Sequence, residues 1–201
     1  MKFAKKVMAL ALAAVLTVGG AVGVSAAGSR TNEITVSSEQ SQIYEVVKKI
    51  EETEGFKTLE TEAPDVADAF KQVNEGKMEM SDFKDTLTKL AETANDTLKA
   101  AIEEVVEKLE GKDFVTGFDQ FNVLDKEKAV PNEDGKYEVE LSVPNMTDDM
   151  ENIQLVCYNA KTGEWTIIDP ISIDKENKTI KVALEDHCYF SIISDEVKTA
   201  E

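Results

Sequence analysis

Apolar and polar positions divide the chain into three patterns. From Ser37 to Gly111, apolar residues recur at steps of three and four, the spacing of one helix face. From Phe114 to Ile193 the step falls to two, the spacing of strands with a buried face. Ahead of both, Val7 to Val18 is an apolar run of about a dozen residues with neither period.

The first pattern predicts three helices. Ser37-x-x-Gln40 has the form of a capping box, in which a serine oxygen accepts an orphan backbone N–H, and Ile43, Val46, Val47 and Ile50 follow as one stripe. Gly55 would end this helix in a left-handed conformation, with Phe56 folding back as its apolar contact. Pro64 pre-sets the first turn of a second helix, and Asp65 and Asp68 sit near the favourable end of its dipole. Val66, Ala69, Phe70 and Val73 form its stripe and Gly76 stops it. Ser81 opens the third. Its stripe of Phe83, Leu87, Leu90, Ala94, Leu98, Ala101, Val105 and Leu109 keeps phase across Asn95-Asp96. That favours one helix from about 81 to 110, roughly 45 Å long at about 1.5 Å per residue. A break over Thr93 to Asp96 is the alternative, because Asn, Asp and Thr are poor interior residues. Ile102 and Val106 widen the stripe, so this end should also meet the β region that follows.

The second pattern predicts strands. Phe118, Phe121 and Val123 mark the first, and Pro131 to Gly135 is a turn. Tyr137, Val139, Leu141 and Val143 alternate with polar residues, which suits a strand with one wet face. Thr147 to Asn152 is a polar connection expected to cross between sheets. Ile153, Leu155 and Cys157 then point one way and Val156 and Tyr158 the other. A hairpin loop over Asn159 to Gly163 leads to Trp165 and Ile167, and a turn over Asp174 to Asn177 leads to Ile180, Val182 and Leu184. Cys188, Phe190 and Ile192 close the region. Six such strands predict a small antiparallel Ig-like β-sandwich, with Ile34 to Val36 as a candidate extra edge strand. The expected fold class is α+β. A flexible segment or edge strand (27–36) precedes a three-helix unit with one long helix (37–112), then the sandwich (113–195) and a polar tail (196–201).

The turn and core residues of the last third also carry a resemblance. Val130-Pro-Asn-x-Asp-Gly-x-Tyr-x-Val-x-Leu-x-Val-Pro144, Ile153-x-Leu-Val-x-Tyr158, Gly163-x-Trp-Thr-Ile-Ile168 and Phe190-Ser-Ile-Ile193 together resemble the small C-terminal β-sandwich modules of secreted Firmicutes proteins, including those of gut clostridia. The resemblance covers residues 130–193. It implies an exported protein of a Gram-positive bacterium and brings no catalytic or binding residues with it.

Composition changes this picture at the N-terminus. Met1 to Lys6 carry three lysines and no acid, the apolar run follows, and Val24-Ser25-Ala26 offers the small residues read by a signal peptidase. That is the form of a secretory signal peptide over residues 1–26. A membrane span needs about 20 apolar residues, more than this run has. No cysteine near the cleavage site could take a lipid, and the polar C-terminal residues hold no sorting motif, so the mature chain is expected to be secreted. Without the signal peptide, 40 acids face 19 Lys and Arg, a charge of about −21. Nucleic acid and anionic membrane surfaces need a basic footprint and are therefore poor partners. A cationic partner or a merely solvated acidic surface both fit.

Candidate chemistry is sparse. Cys157 and Cys188 share the apolar parity of their strands. A disulfide between them is in reach if their Cα atoms approach within about 7 Å, and its loop of near 30 residues would be worth about 3–4 kcal/mol in the chain-entropy picture; two buried thiols are the alternative. His187 is the one histidine. Beside Cys188 it invites a Cys–His nucleophile, but adjacent strand residues point to opposite faces. A paired-carboxylate glycosidase needs a deep aromatic cleft, which one tryptophan and four tyrosines poorly supply. Asp148-Asp149-Met-Glu151-Asn152 and Asn132-Glu-Asp134 are hard-oxygen clusters for calcium without the ordered spacing of a calcium loop, and solvated turns account for them as well. Trp165 reads as core in a hairpin, or else as an exposed ligand platform. Sequons at Asn95, Asn145 and Asn177 matter only in a eukaryotic secretory route.

No catalytic, cofactor or metal residues are thus assigned. The function expected is that of an exported, non-enzymatic binding module for an extracellular or envelope protein or glycan. A structural or regulatory envelope component acting through the long helix, and a secreted hydrolase, are the alternatives.

Overall fold

The computed structural model describes residues 33–195. The expected signal peptide (1–26) and polar tail (196–201) lie outside the described residues. Among the described residues the fold is mixed α+β, with four α-helices and two antiparallel sheets. Strands β1 (Thr35–Val36), β5 (Tyr137–Ser142), β9 (Thr179–Leu184) and β8 (Ser172–Asp174) form a four-stranded sheet in that order. The larger sheet runs β2 (Tyr44–Val47), β4 (Asp119–Val123), β10 (Cys188–Asp195), β6 (Gln154–Asn159), β7 (Glu164–Ile168), and β3 (Lys112–Phe114) pairs the far end of β10. The helices are α1 (Glu54–Glu62), α2 (Pro64–Asn74), α3 (Met80–Thr93) and α4 (Asp96–Lys108).

The central strand of the larger sheet explains the layering. β10 is buried at nearly every position, the seven successive residues from Cys188 to Ser194, with Ser191 and Ser194 the polar ones among them. A strand of that kind needs cover on both faces. Cys188, Phe190 and Ile192 join one hydrophobic cluster with Val139, Leu141, Val182 and Leu184 of the four-stranded sheet. Tyr189 and Ile193 join a second with Phe56, Phe70, Phe83 and Ile102 of the helices. The six-stranded sheet is therefore the middle layer, with a sheet on one side and helices on the other. Several expectations hold at this level. β6 divides its side chains as its parity requires, Leu155 and Cys157 toward the small sheet and Val156 and Tyr158 toward the helices. Residues 147–152 carry the chain from one sheet to the other. Pro64 stands at the first turn of α2, and β1 forms the edge of the small sheet.

The first expected helix does not form. Residues 38–43 are turns and Tyr44–Val47 is a strand paired with β4. Ile43, Val46 and Val47 fit a helical stripe, but their branched side chains also suit a pleated surface, and β4 offers an edge for them. Gln40 is not part of a capping box. Its carboxamide donates to the Glu138 carbonyl (3.2 Å) and accepts from the Glu140 N–H (2.8 Å), so it extends the ladder beside β5 as a side chain. Gly55 and Phe56 begin a helix instead of ending one, with Thr53 as the N-cap accepting from the Phe56 N–H at 3.1 Å.

The long helix is two helices. Ala94 is extended (ψ 158°), and the Asn95 side chain caps α4 by accepting from the Leu98 N–H at 3.0 Å. The break falls where the poor interior residues stand, and α4 folds back along α3. Both halves keep the phase of one stripe because both bury it in the same cluster, α3 through Phe83, Leu87 and Ala91, α4 through Ile102 and Val105. The expected contact of the 102–106 region with the β region is made against β7. The helices have no core apart from the sheet: Phe70 stacks on Phe118 at 4.1 Å and meets Trp165 edge-on at 5.7 Å. Asn74 ties the two further, accepting from the Phe118 N–H (2.6 Å) and donating to its carbonyl (3.0 Å).

Candidate functional site

A groove of about 820 Å³ lies between α1 and the helix-facing side of β4, β10 and β6. Such a volume is within the range of small-molecule sites, roughly 300–1,000 Å³. Its α1 wall bears Thr58, Leu59 and Glu62, its sheet wall Gln120, Asn122, Tyr158 and Tyr189, and its rim the 160–163 hairpin and His187. Local rules set each wall. Leu59 and Phe56 bury one side of α1 while Thr58 and Glu62 stay exposed beside the groove. On the sheet, Gln120 and Tyr189 are a cross-strand pair, and Tyr158 is paired with Tyr189 from the other side. The three side chains therefore stand in a row on one face.

Gly55 lets α1 come this close. A Cβ on it would meet Gln120 Nε2 and the Tyr189 hydroxyl oxygen at 3.4 Å. The Tyr189 hydroxyl is the unusual group of the row. Tyr189 is 1% exposed, and its hydroxyl is buried without a hydrogen-bond partner. Buried tyrosine hydroxyls usually have one, and leaving a buried polar group unpaired costs about 1–3 kcal/mol. Burial pushes the Tyr189 pKa up against a smaller downward pull from the nearby Thr53 hydroxyl. Thr53 does not satisfy it by geometry. Its oxygen already donates to the Ile50 carbonyl (2.8 Å) and accepts from the Phe56 N–H. Tyr158 is raised too, by burial first and then by the Glu62 carboxylate.

His187 holds the rim in a left-handed conformation, φ 67°, uncommon outside glycine although histidine tolerates it better than most. Its N–H donates to the Phe121 carbonyl at 2.9 Å. Its Nδ1 is 3.0 Å from Asn122 Oδ1 and its Nε2 is 3.4 Å from Asp186 Oδ2. Asp186 is held by the Val123 N–H (2.8 Å) and faces Lys126 at 3.2 Å. The imidazole is thus a fixed hydrogen-bonding post half in solvent. Cys188 turns to the opposite face of the sheet, and no Cys–His pair exists.

The other candidates fall elsewhere. Cys157 and Cys188 are free and buried, and the expected disulfide is not made. In register Cys157 pairs with Phe190 and Cys188 with Asn159, so the thiols are diagonal neighbours on the inter-sheet face and not a direct pair. Diagonal positions are about 7–8 Å apart between backbones, at or past the span a disulfide takes. The thiols line a cavity of about 110 Å³ with Lys136 and Glu185. Burial raises both pKa values, Cys188 to about 12. Trp165 is core, 2% exposed among Phe70, Phe83, Phe118 and Tyr158. The candidate calcium clusters are turns, and two of their side-chain oxygens are engaged locally. Asn132 Oδ1 accepts from the Asp134 and Lys136 N–H groups, and Asp149 accepts from the Thr147 hydroxyl. The Lys175 ammonium takes the Asp148 and Met150 carbonyls at 2.8 and 2.6 Å, the place a cation would need in the second loop.

Asp119 is a second buried polar group without a partner. It is fully buried, neither carboxylate oxygen is hydrogen-bonded, and register places it beside Phe190 on the inter-sheet face. Burial raises its pKa to about 7, with Lys48 pulling down and Glu51 pushing up. It lines no part of the groove. No family model, curated protein or solved structure matches the chain. The groove does not stand out in the sequence because its residues share no motif; His187 drew attention there only for its place beside Cys188. The one local signal was Tyr189 in the mostly apolar Cys188–Ile193 run, a hydroxyl with no obvious partner.

Proposed function

We propose that this protein is an exported, non-enzymatic binding module of a Gram-positive bacterium. In this reading its paired sheets serve as an Ig-like scaffold, and its ligand is an extracellular or envelope protein or glycan held in the groove between α1 and the six-stranded sheet. The observation that carries it is the Tyr189 hydroxyl, buried without a partner under a groove walled by fixed amides and hydroxyls. A polar group left unpaired at a loss of stability suits a site that a ligand completes. Export is supported by the N-terminal lysines, apolar run and small-residue exit. A binding role is supported by the groove's row of donors and acceptors, and the Cys–His pair weighed as a nucleophile is not part of it, since the cysteines face the other sheet and His187 is engaged by Asn122 and Asp186.

The test is retention of the purified protein on immobilised cell-envelope and host glycoprotein fractions, alongside Thr58→Trp. Thr58 is exposed on α1, so the indole fills the groove without entering the core. Retention by the wild type and its loss in Thr58→Trp is expected. Equal retention of both would overturn the groove as the site, and no retention of either would overturn the binding role.

A further inference from the structure

The groove is chemically unlike the rest of the surface. The chain carries a net charge of −18, yet the groove is lined by one carboxylate, Glu62 on α1, and one ammonium, Lys161 on the rim. Its remaining polar groups are uncharged hydroxyls and carboxamides, besides the His187 ring. We infer, resting on the reading of the groove as the ligand site, that the ligand is a short neutral saccharide.

Three features point to that class. Hydroxyl and carboxamide groups each offer both donors and acceptors, as every sugar hydroxyl does, so Tyr158, Tyr189, Gln120 and Asn122 can be met by a run of sugar hydroxyls whatever their orientation. Leu59, Ala63 and Ala160 supply small apolar surface between them, suited to the C–H faces of a sugar ring. The orphan Tyr189 hydroxyl beside Gly55 supplies a donor still free for one more ligand oxygen. Other classes fit less well. An acidic ligand would find one exposed lysine opposed by Glu62 and a strongly acidic chain. A cationic ligand would find a single exposed carboxylate, and of the groove's two tyrosine rings Tyr158 packs against Phe70 and Trp165 and Tyr189 is 1% exposed, which leaves no aromatic cage. A peptide could not add as a strand, because β4, β10 and β6 are all interior to the sheet and present no free edge.

Isotope-labelled protein is titrated with short neutral oligosaccharides (gluco-, xylo- and N-acetylglucosamine series), with oligouronates, with de-acetylated amino-sugar oligomers and with a neutral extended peptide, following the amide signals of Gln120, Tyr158, His187 and Tyr189. A neutral oligosaccharide is expected to shift these signals saturably. Tyr189→Phe should weaken it about tenfold, the loss of roughly one hydrogen bond, and Thr58→Trp should abolish it. Groove shifts from the charged sugars or the peptide, with the neutral sugars silent, would overturn the saccharide class and leave the groove as a binding site. Silence from every ligand at these four signals would overturn both. Unchanged affinity in Tyr189→Phe would overturn the inference as well, because the unpaired hydroxyl would then contribute nothing to recognition.

Discussion

The two faces of the six-stranded sheet are packed by different means. Toward the four-stranded sheet the core is mainly aliphatic, with Val139, Leu141, Leu155, Val182, Leu184 and Ile192 among its residues and two thiols between them. Toward the helices it is aromatic, with Phe56, Phe70, Phe83, Phe114, Phe118, Tyr158, Trp165 and Tyr189 in contact through stacked and edge-to-face rings. Two sheets lie a near-constant distance of about 10 Å apart, which alternating aliphatic side chains fill. Helices lie on a twisted sheet at uneven height, and large flat rings fill the wider places. Each face also buries one unpaired polar group. Asp119 on the inter-sheet face has no groove beside it, whereas the Tyr189 hydroxyl lies at the floor of one. The same defect is a stability loss in the closed layer and a candidate contact in the open one.

That comparison can be broken experimentally. The largest effect expected is from Phe70→Ala, which removes the ring at the centre of the aromatic seam and should cost about 4–5 kcal/mol. Because helices and sheet share this core, urea unfolding should remain a single transition by both far-UV dichroism and Trp165 fluorescence. Two separated transitions would show that the helical layer folds on its own.

Next is the pH dependence of Asp119. Its pKa in the folded state, about 7, lies above the ordinary 3.8. Between these values the native protein binds more protons than the unfolded chain, so this group makes stability fall as pH rises from about 4 to about 7 and then level off. A rise of about three units corresponds to roughly 4 kcal/mol over the full window. Asp119→Asn should abolish this component of the slope and leave the variant more stable than wild type at pH 8, read from urea midpoints at pH 4, 6 and 8. A slope that is the same in wild type and Asp119→Asn would mean that this carboxyl titrates alike in the folded and the unfolded chain, and one that Asp119→Asn makes less steeply rising with pH would mean that partners hold the carboxylate charged.

Smaller again is Tyr189→Phe. Removing a hydroxyl that has no partner should raise stability by about 1–3 kcal/mol. A loss of more than 1 kcal/mol, on the order of a buried hydrogen bond, would show that the hydroxyl is satisfied after all. The cysteines should have the least effect. Two thiols per chain should react with a thiol reagent only after unfolding, since burial holds both pKa values high. No titratable thiol in the unfolded, unreduced chain would mean that Cys157 and Cys188 are bonded.

The strands were legible where period two met turn residues. The ladders of Tyr137–Ser142, Gln154–Asn159, Glu164–Ile168 and Thr179–Leu184 stand where alternation placed them, and the double-sided burial of β6 followed from its parity alone. Residues 43–50 were not legible in the same way. Their spacing satisfies a helix and their side chains satisfy a strand, and the choice rests on the edge offered by β4, more than seventy residues on. The helix break at Ala94–Asn95 was marked by poor interior residues, but continuity of phase pointed the other way, because two helices on one core share a phase as readily as one helix does. The groove was the least legible feature. Thr58, Gln120, Tyr158 and Tyr189 come from four separate elements, and nothing local links them.

The sequence by itself determined the α+β class, the crossing at residues 147–152 and the faces of β6, because period, turn chemistry and parity are properties of neighbouring residues. Only the tertiary structure decided that the helices have no core of their own, that the cysteines stand diagonal and free, and that a polar row on three interior strands faces a groove under α1. Those depend on strand order and register, which are settled by pairing between distant segments and by which face each layer must cover.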